Sequence, residues 1–268
     1  MKNIQDISLE GKRVLIRVDF NVPLDEHFNI TDNSRILAAL PTIKKVISCG
    51  GKAILMSHLG RPKDGFEEKF SLKNIVKQLS KLIDRTVAFS NDCIGESTIT
   101  DISKMENGDV LVLENLRFYK EEKLGGLKFA KQLSELADIY INDAFGTAHR
   151  AHASNVGVTK HFSHKGMGFL VEKELQYLSE AMNKDILAKY EVIQVSDQVM
   201  SAMADSESPQ GIIALCSTKS LKLKDLWQRK PSKIAFFWQI QDPGNAGTVI
   251  RTADACGFDA VVFSSESV

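Results

Sequence analysis

Four short stretches of this sequence gather arginine, histidine and small polar residues at spacings that could serve one site. They are RVDFNVP with Arg17, Asp19 and Asn21, SHLGRP with His58 and Arg61, NLRF with Arg117, and DAFGTAHRAHAS with His149, Arg150 and His152. Arg35 stands just inside a long helical pattern, where free backbone N–H groups already favour an anion. A lone loop arginine is ordinarily a solvated surface residue. Arg35, Arg61, Arg117 and Arg150 together with His58 make a set, each just past a strand-like run or at a helix start. Guanidinium forks match phosphate and carboxylate oxygens two bonds at a time, and a charge-assisted bond contributes about 1.5–3 kcal/mol. The expected ligand is a small polyanion, with Asp19 and Asn21 serving hydroxyls between its anionic ends. A small hydroxy-acid phosphate satisfies the whole list. The residue types taken alone leave a purely structural role for these charges equally open.

Convergence requires elements that carry these loops to one edge. RVLIRV (13–18), KAILM (52–56), TVAFS (86–90), VLVLE (110–114) and IYIN (139–142) read as strands buried on both faces. Between them, residues 34–50, 71–83 and 127–137 carry apolar side chains at three- and four-residue spacing, with Ser34 and Ser71 as expected N-caps and Gly50-Gly51 as a stop. Such alternation implies a parallel sheet covered by helices, and in such sheets ligands collect at the carboxyl ends of the strands. An amphipathic helix follows over 169–182, and the style of the sequence changes near 183–186. Beyond it, 190–196, 211–215 and 233–238 read as strands and 196–205 as a short helix. The stretch DPGNAGTVIRTADACGFDAVVF (242–263) reads as a glycine-bearing loop, a helix and a strand.

Composition excludes several classes. Of 268 residues, 43% are hydrophobic and 25% charged, with 34 basic residues balancing 34 acidic ones, so no overall charge advertises nucleic acid or a membrane surface. Cys49, Cys93, Cys216 and Cys256 form no C-x-x-C pair, which fits reduced thiols. No apolar run reaches the roughly 18 residues needed to span a bilayer, and MKNIQDISLEGKR lacks the apolar core of a signal peptide. The expectation is a cytoplasmic protein that meets no membrane. His149, His152, His161 and His164 make an H-x-x-H…H-x-x-H pattern without an accompanying acidic or cysteine ligand, so no metal is expected there. GGLKF is not followed by a P-loop lysine.

RVDFNVP, SHLGRP, LENLRF and DAFGTAHRAHAS, in this order and spacing, resemble the N-terminal domain of phosphoglycerate kinase, and the resemblance covers residues 2–182. It implies a three-layer α/β domain with a Rossmann-like parallel sheet that binds 3-phosphoglycerate or 1,3-bisphosphoglycerate. It also implies that Asp19, Phe20 and Asn21 hold the glycerate hydroxyl and carboxylate region. His58, Leu59, Gly60, Arg61, Arg117 and Arg150 would lie about the 3-phosphate. Arg35 would carry the catalytic role, offsetting charge on the phosphoryl group in transfer. The family's second domain binds ATP or ADP with magnesium and begins with a G-G-[AS]-K-V-x-[DT]-K segment. Here NKDILAKYEVIQVS stands in that place, so turnover is expected to be slight or absent.

The remainder, 183–268, resembles a different family. VSDQVMSAMADSESPQGIIAL (195–215) and the P-G-N-x-G-x-x-x-R-T-A-x-A-x-G pattern from Pro243 are similar to SpoU-type RNA ribose 2′-O-methyltransferases of the knotted class. The resemblance implies that Asn245, Gly247 and Arg251 lie at an RNA-facing catalytic surface. PGNAG taken alone also fits a glycine turn capping a helix. The S-adenosylmethionine pocket of that family rests on two later motifs, and SSESV closes this sequence before them, so the segment is expected to be an incomplete α/β piece without that cofactor. Three readings result: a phosphoglycerate kinase-like substrate binder with no cofactor of its own, an RNA-binding or methyl-transferring fragment, and a non-catalytic truncated fusion. None of them fixes an oligomeric state.

Overall fold

The computed structural model describes residues 2–63, 65–148, 150–181, 196, 199, 223–241, 243–265 and 267, and the chain divides into two compact units, Met1–Gly211 and Ile212–Val268. The boundary between them falls among residues outside this description, as do the strands expected at 190–196 and 211–215. Of the helix expected at 196–205, only Ser196 and Val199 are described.

In the first unit β1 (Lys2–Asn3), β2 (Arg13–Arg17), β3 (Lys52–Met56), β4 (Val87–Phe89), β5 (Val110–Val112), β6 (Ile139–Asn142) and β7 (His164–Met167) form one sheet in the order β1-β7-β6-β2-β3-β5-β4. Every pairing in it is parallel. The helices are α1 (Ser34–Ser48), α2 (Lys73–Ile83), α3 (Gly95–Ser103), α4 (Lys120–Leu124), α5 (Leu127–Ser134), α6 (Phe145–Ala148) and α7 (Phe169–Ala181).

Successive strand side chains leave opposite faces, so a strand apolar at every position feeds two cores. Val14, Ile16, Ala53, Leu55, Val110, Val112, Ile139 and Ile141 pack with Ile36, Ile43 and Val46 of α1 and Ile75, Leu79 and Ile83 of α2. Leu15, Ile54, Met56, Leu111 and Tyr140 pack on the other side with Ile102 of α3 and Phe129, Ala130 and Leu133 of α5. The result is three layers. From β2 the sheet grows outward through β3, β5 and β4 on one side and through β6 and β7 on the other. The order reverses between β2 and β6, and in parallel sheets the carboxyl ends of the strands at such a point are the usual place for a ligand.

Helix ends follow local chemistry, with two corrections. Gly50, at φ 68°, and Gly51 close α1 through Gly50 N–H to Ile47 O (3.0 Å) and Gly51 N–H to Val46 O (2.9 Å), a left-handed cap that spares a side chain strain. Ser34 is not the cap expected of it. It is the first helical residue, and its N–H donates to Asp32 Oδ1 (2.8 Å), because a carboxylate two residues upstream reaches that amide better than the residue's own hydroxyl. Ser71 Oγ accepts from Lys73 N–H (3.2 Å), the first amide of α2, from one position before the cap residue Leu72. The strand β7 and the helix α3 escape periodicity because HKGM and GESTITDIS carry few apolar residues.

In the second unit α8 (Leu223–Gln228) precedes β8 (Ile234–Phe237), α9 (Pro243–Ala255) and β9 (Ala260–Phe263). The strands β8 and β9 pair in parallel, joined by α9 as crossover. Asp259 fixes their starts by accepting from Ser232 N–H (2.7 Å) and Lys233 N–H (2.9 Å). The glycine-bearing loop expected at 243–247 is helical instead. Pro243 occupies the first helical position, where its missing N–H costs nothing, so Gly244, Asn245 and Gly247 lie in the opening turns of α9. Among the described residues no helix is long and apolar enough to cross a membrane.

Candidate functional site

The loops that carry Asp19 and Asn21, His58 and Arg61, Arg117, and Arg150 follow β2, β3, β5 and β6, and Arg35 stands at the start of α1. The loop after β2 turns at Asp19, whose Oδ1 accepts from Asn21 N–H (3.3 Å) while Oδ2 pairs with Arg35 Nη1 at the start of α1. Asn21 Oδ1 accepts from Gly60 N–H (2.8 Å), tying the β2 loop to the β3 loop. Gly60 O in turn accepts from Arg117 Nη1 (2.7 Å), bringing in the loop after β5. Gly60 has φ 62°, and a Cβ there would stand 2.3 Å from the Phe70 ring, so only glycine fits without displacement. Arg61 and Arg150 are exposed.

Phe20 and Leu59 are placed differently. Both side chains are buried in the apolar core, and their backbones serve the loops. Phe20 N–H donates to Ser57 Oγ (2.8 Å), and Leu59 O accepts from Asn115 Nδ2 (2.7 Å). His149 lies outside the described residues, as do the side chains of Asn245 and Arg251, while Gly247 is half-buried within α9.

His58 lies at the electrostatic centre. It is 5% exposed, and burial followed by the charges of Arg17, Arg117, Arg35 and Arg150 pushes its pKa down to about 2. The ring is therefore neutral. Arg17 Nη2 stands 3.4 Å from His58 Nδ1. Arginine only donates, so Nδ1 accepts and the ring proton sits on Nε2. Burial, then Arg150 and Arg17, lowers the Arg117 pKa to about 10. Cations that depress one another in this way form a field that an incoming anion relieves.

Sequence reasoning missed the buried polar frame beneath the loops. Glu114 Oε1 accepts from Leu72 N–H (2.9 Å) and Asn115 N–H (2.7 Å), and its Oε2 accepts from Ser71 Oγ (2.6 Å). Asn115 Oδ1 accepts from Arg117 N–H (3.0 Å). Arg17 was visible only as a member of RVDFNVP; it is 1% exposed and donates from Nε to Ser154 Oγ (3.0 Å). Charged residues inside otherwise apolar strand ends, as in LENLRF, are the one signal that could have pointed to this frame. A cavity of about 410 Å³ lies elsewhere, lined by residues 28–33 and by Asn74, Lys77, Gln78 and Lys81, and no clamp residue lines it. Among the described residues no three His, Cys, Asp or Glu side chains gather as a metal site.

A family model described as phosphoglycerate kinase matches residues 4–195. The phosphoglycerate kinase of Chlorobaculum tepidum is 55% identical over 182 residues, covering 68% of this chain and 46% of that protein. The phosphoglycerate kinase of Gloeothece citriformis is 54% identical over 180 residues, covering 67% and 45%. Among solved structures, phosphoglycerate kinase from Coxiella burnetii superposes with a TM-score of 0.62 at 38% identity, covering 68% of this chain and 45% of its own. The enzyme from Pyrococcus horikoshii OT3 gives 0.63 at 34%, covering 69% and 46%. The chain thus spans about half the length of the relatives it matches, and the matched stretch runs past residue 182. On the family match and on the parallel α/β unit that carries the four motifs, the chain belongs to the phosphoglycerate kinase family.

Proposed function

We propose that residues 1–182 form a 3-phosphoglycerate-binding domain of a glycolytic, cytoplasmic kinase type, able to take 3-phosphoglycerate or 1,3-bisphosphoglycerate. The observation that carries this reading is the gathering of Arg17, Arg35, Arg117 and Arg150 near buried His58, each close enough to oppose its protonation. Asp19 and Asn21 would address the glycerate hydroxyl and carboxylate region. His58 Nε2–H, Arg61, Arg117 and Arg150 would address the 3-phosphate, with the backbones of Phe20, Leu59 and Gly60 holding the loops. Arg35, now paired with Asp19, would turn to the phosphoryl group in transfer.

Apart from Asp19, whose carboxylate is already paired with Arg35, the clamp is a set of cations and neutral donors, which fits an anion and does not fit magnesium. NKDILAKYEVIQVS follows α7 where the resembled family has its nucleotide segment, which supports binding with little or no ATP-dependent turnover by this 268-residue polypeptide. Titration calorimetry of one preparation with 3-phosphoglycerate, ADP and S-adenosylmethionine tests the reading. Heat is expected from the first alone, and Arg117→Ala should weaken that binding about tenfold or more. Silence from 3-phosphoglycerate would sink it.

A second reading concerns residues 183–268. The P-G-N-x-G-x-x-x-R-T-A-x-A-x-G pattern and the parallel β8–α9–β9 crossover support an RNA-methyltransferase-like remnant, with Asn245, Gly247 and Arg251 as its RNA-facing residues. RNA protection lost on Arg251→Ala would favour it, and S-adenosylmethionine heat in the same titration would extend it to methyl transfer.

A further inference from the structure

A second buried carboxylate, besides Glu114, stands beside the cationic clamp. Glu122, in α4, is 1% exposed. Its Oε2 accepts from Ser154 N–H (3.0 Å) and its Oε1 from Ser154 Oγ (2.6 Å), with His152 Nδ1 3.7 Å from Oε1. Its charge is felt at the clamp, where it opposes the lowering of both Arg117 and His152. The Ser154 hydroxyl spends its single proton on Glu122 and turns a lone pair to Arg17 Nε at 3.0 Å. Arg17 then donates from Nη1 to Val18 O and points Nη2 at His58 Nδ1. A one-turn π-helix (Ala153–Gly157) carries Ser154, and Tyr140 Oη pins it from β6 by donating to Ser154 O (3.0 Å).

We propose that Glu122 is a positioning residue of the clamp: through the Ser154 hydroxyl it orients the Arg17 guanidinium against His58 and so fixes which ring nitrogen of His58 carries the proton. A neutral glutamine at this position would leave the serine hydroxyl free to rotate and donate elsewhere. Arg17 would then lose a committed acceptor, and with it the lock on His58. The functional consequence rests on the 3-phosphoglycerate reading, whereas the tautomer is readable without any ligand.

The test uses the full chain labelled with 15N-histidine, recorded by long-range 1H–15N correlation between pH 5 and 8. In the parent protein His58 should show an unprotonated Nδ1 and a protonated Nε2 throughout. A protonated Nδ1 or a charged ring would overturn the proposal before any variant is made. Ser154→Ala and Glu122→Gln should each move both nitrogen shifts toward tautomer averaging, and Ser154→Thr should restore them. Binding of 3-phosphoglycerate should weaken about tenfold in the first two and recover in the third. If Glu122→Gln does not fold, Ser154→Ala decides. Unchanged shifts in Ser154→Ala sink the relay, and moved shifts with unchanged binding sink the positioning role. If the parent chain binds no 3-phosphoglycerate while the shifts move as expected, the relay stands and the ligand reading falls.

Discussion

His58 and Asp143 are buried ionisable groups whose shifts oppose one another in acid. The His58 pKa is lowered from 6.5 to about 2, chiefly by burial. Below pH 6.5 the unfolded chain takes up a proton that the native ring refuses, so stability present above pH 6.5 is lost as pH falls, at about 1.4 kcal/mol per unit. Asp143 moves the other way. Burial raises it from 3.8 to about 6, against hydrogen bonds from Thr42 and the Leu170 and Val171 amides, and no charged side chain is among its influences. Its Oδ2 has no hydrogen-bond partner among the described residues, so the ionised form is poorly satisfied. That contribution is fully present below pH 3.8 and lost as pH rises through 6, by about 3 kcal/mol in all. Between about pH 4 and 6 the two slopes nearly cancel. His58→Gln should therefore gain stability relative to the parent as pH drops through this window. Asp143→Asn should lose it relative to the parent over the same window, and urea midpoints by circular dichroism at pH 4.5 and 7 would register both. Parallel pH profiles for all three chains would refute the assignment.

At the scale of elements, the β3 loop depends on one glycine. Gly60 takes φ 62°, touches the space of Phe70, donates to Asn21 and accepts from Arg117. Gly65 nearby has φ 71° and open space around its missing side chain. Gly60→Ala should cost about 2–4 kcal/mol, from left-handed strain plus overpacking, and should weaken 3-phosphoglycerate binding. Gly65→Ala should cost about 1–2 kcal/mol from the backbone alone. Equal losses in thermal or urea unfolding would show that the Phe70 contact yields freely. The loop was recognisable as SHLGRP, but its partners were not, because Asn21 and Arg117 are far away in sequence and meet it only across the sheet.

For the molecule as a whole, the two tryptophans both fall in the second unit, at positions 227 and 238, and are 62% and 69% exposed. Tryptophan emission thus reports on that unit only, and its native maximum should be red-shifted. The first unit holds the extended apolar cores, whereas β8 and β9 are only partly buried. Denaturant titration should then give a tryptophan transition at lower urea than the far-ultraviolet signal, a departure from two-state behaviour. Limited proteolysis should likewise leave a resistant fragment ending near residue 182. Coincident transitions and a protected tail would overturn this expectation.

The strands β2 to β6, β8 and β9, the long helices α1, α2, α5 and α7 and the four basic loops followed from the sequence alone, because apolar periodicity and motif spacing are local properties of a chain that must bury its backbone. The compact units divide at Gly211 and Ile212 rather than near 183–186, where the sequence style changes. Only the folded first unit decided the strand order that places β2 beside β6, the neutral tautomer of His58 and the Glu122–Ser154–Arg17 relay. These depend on groups up to 137 residues apart brought within hydrogen-bond reach. Burial and Coulomb interactions act through space, so no window along the chain contains them.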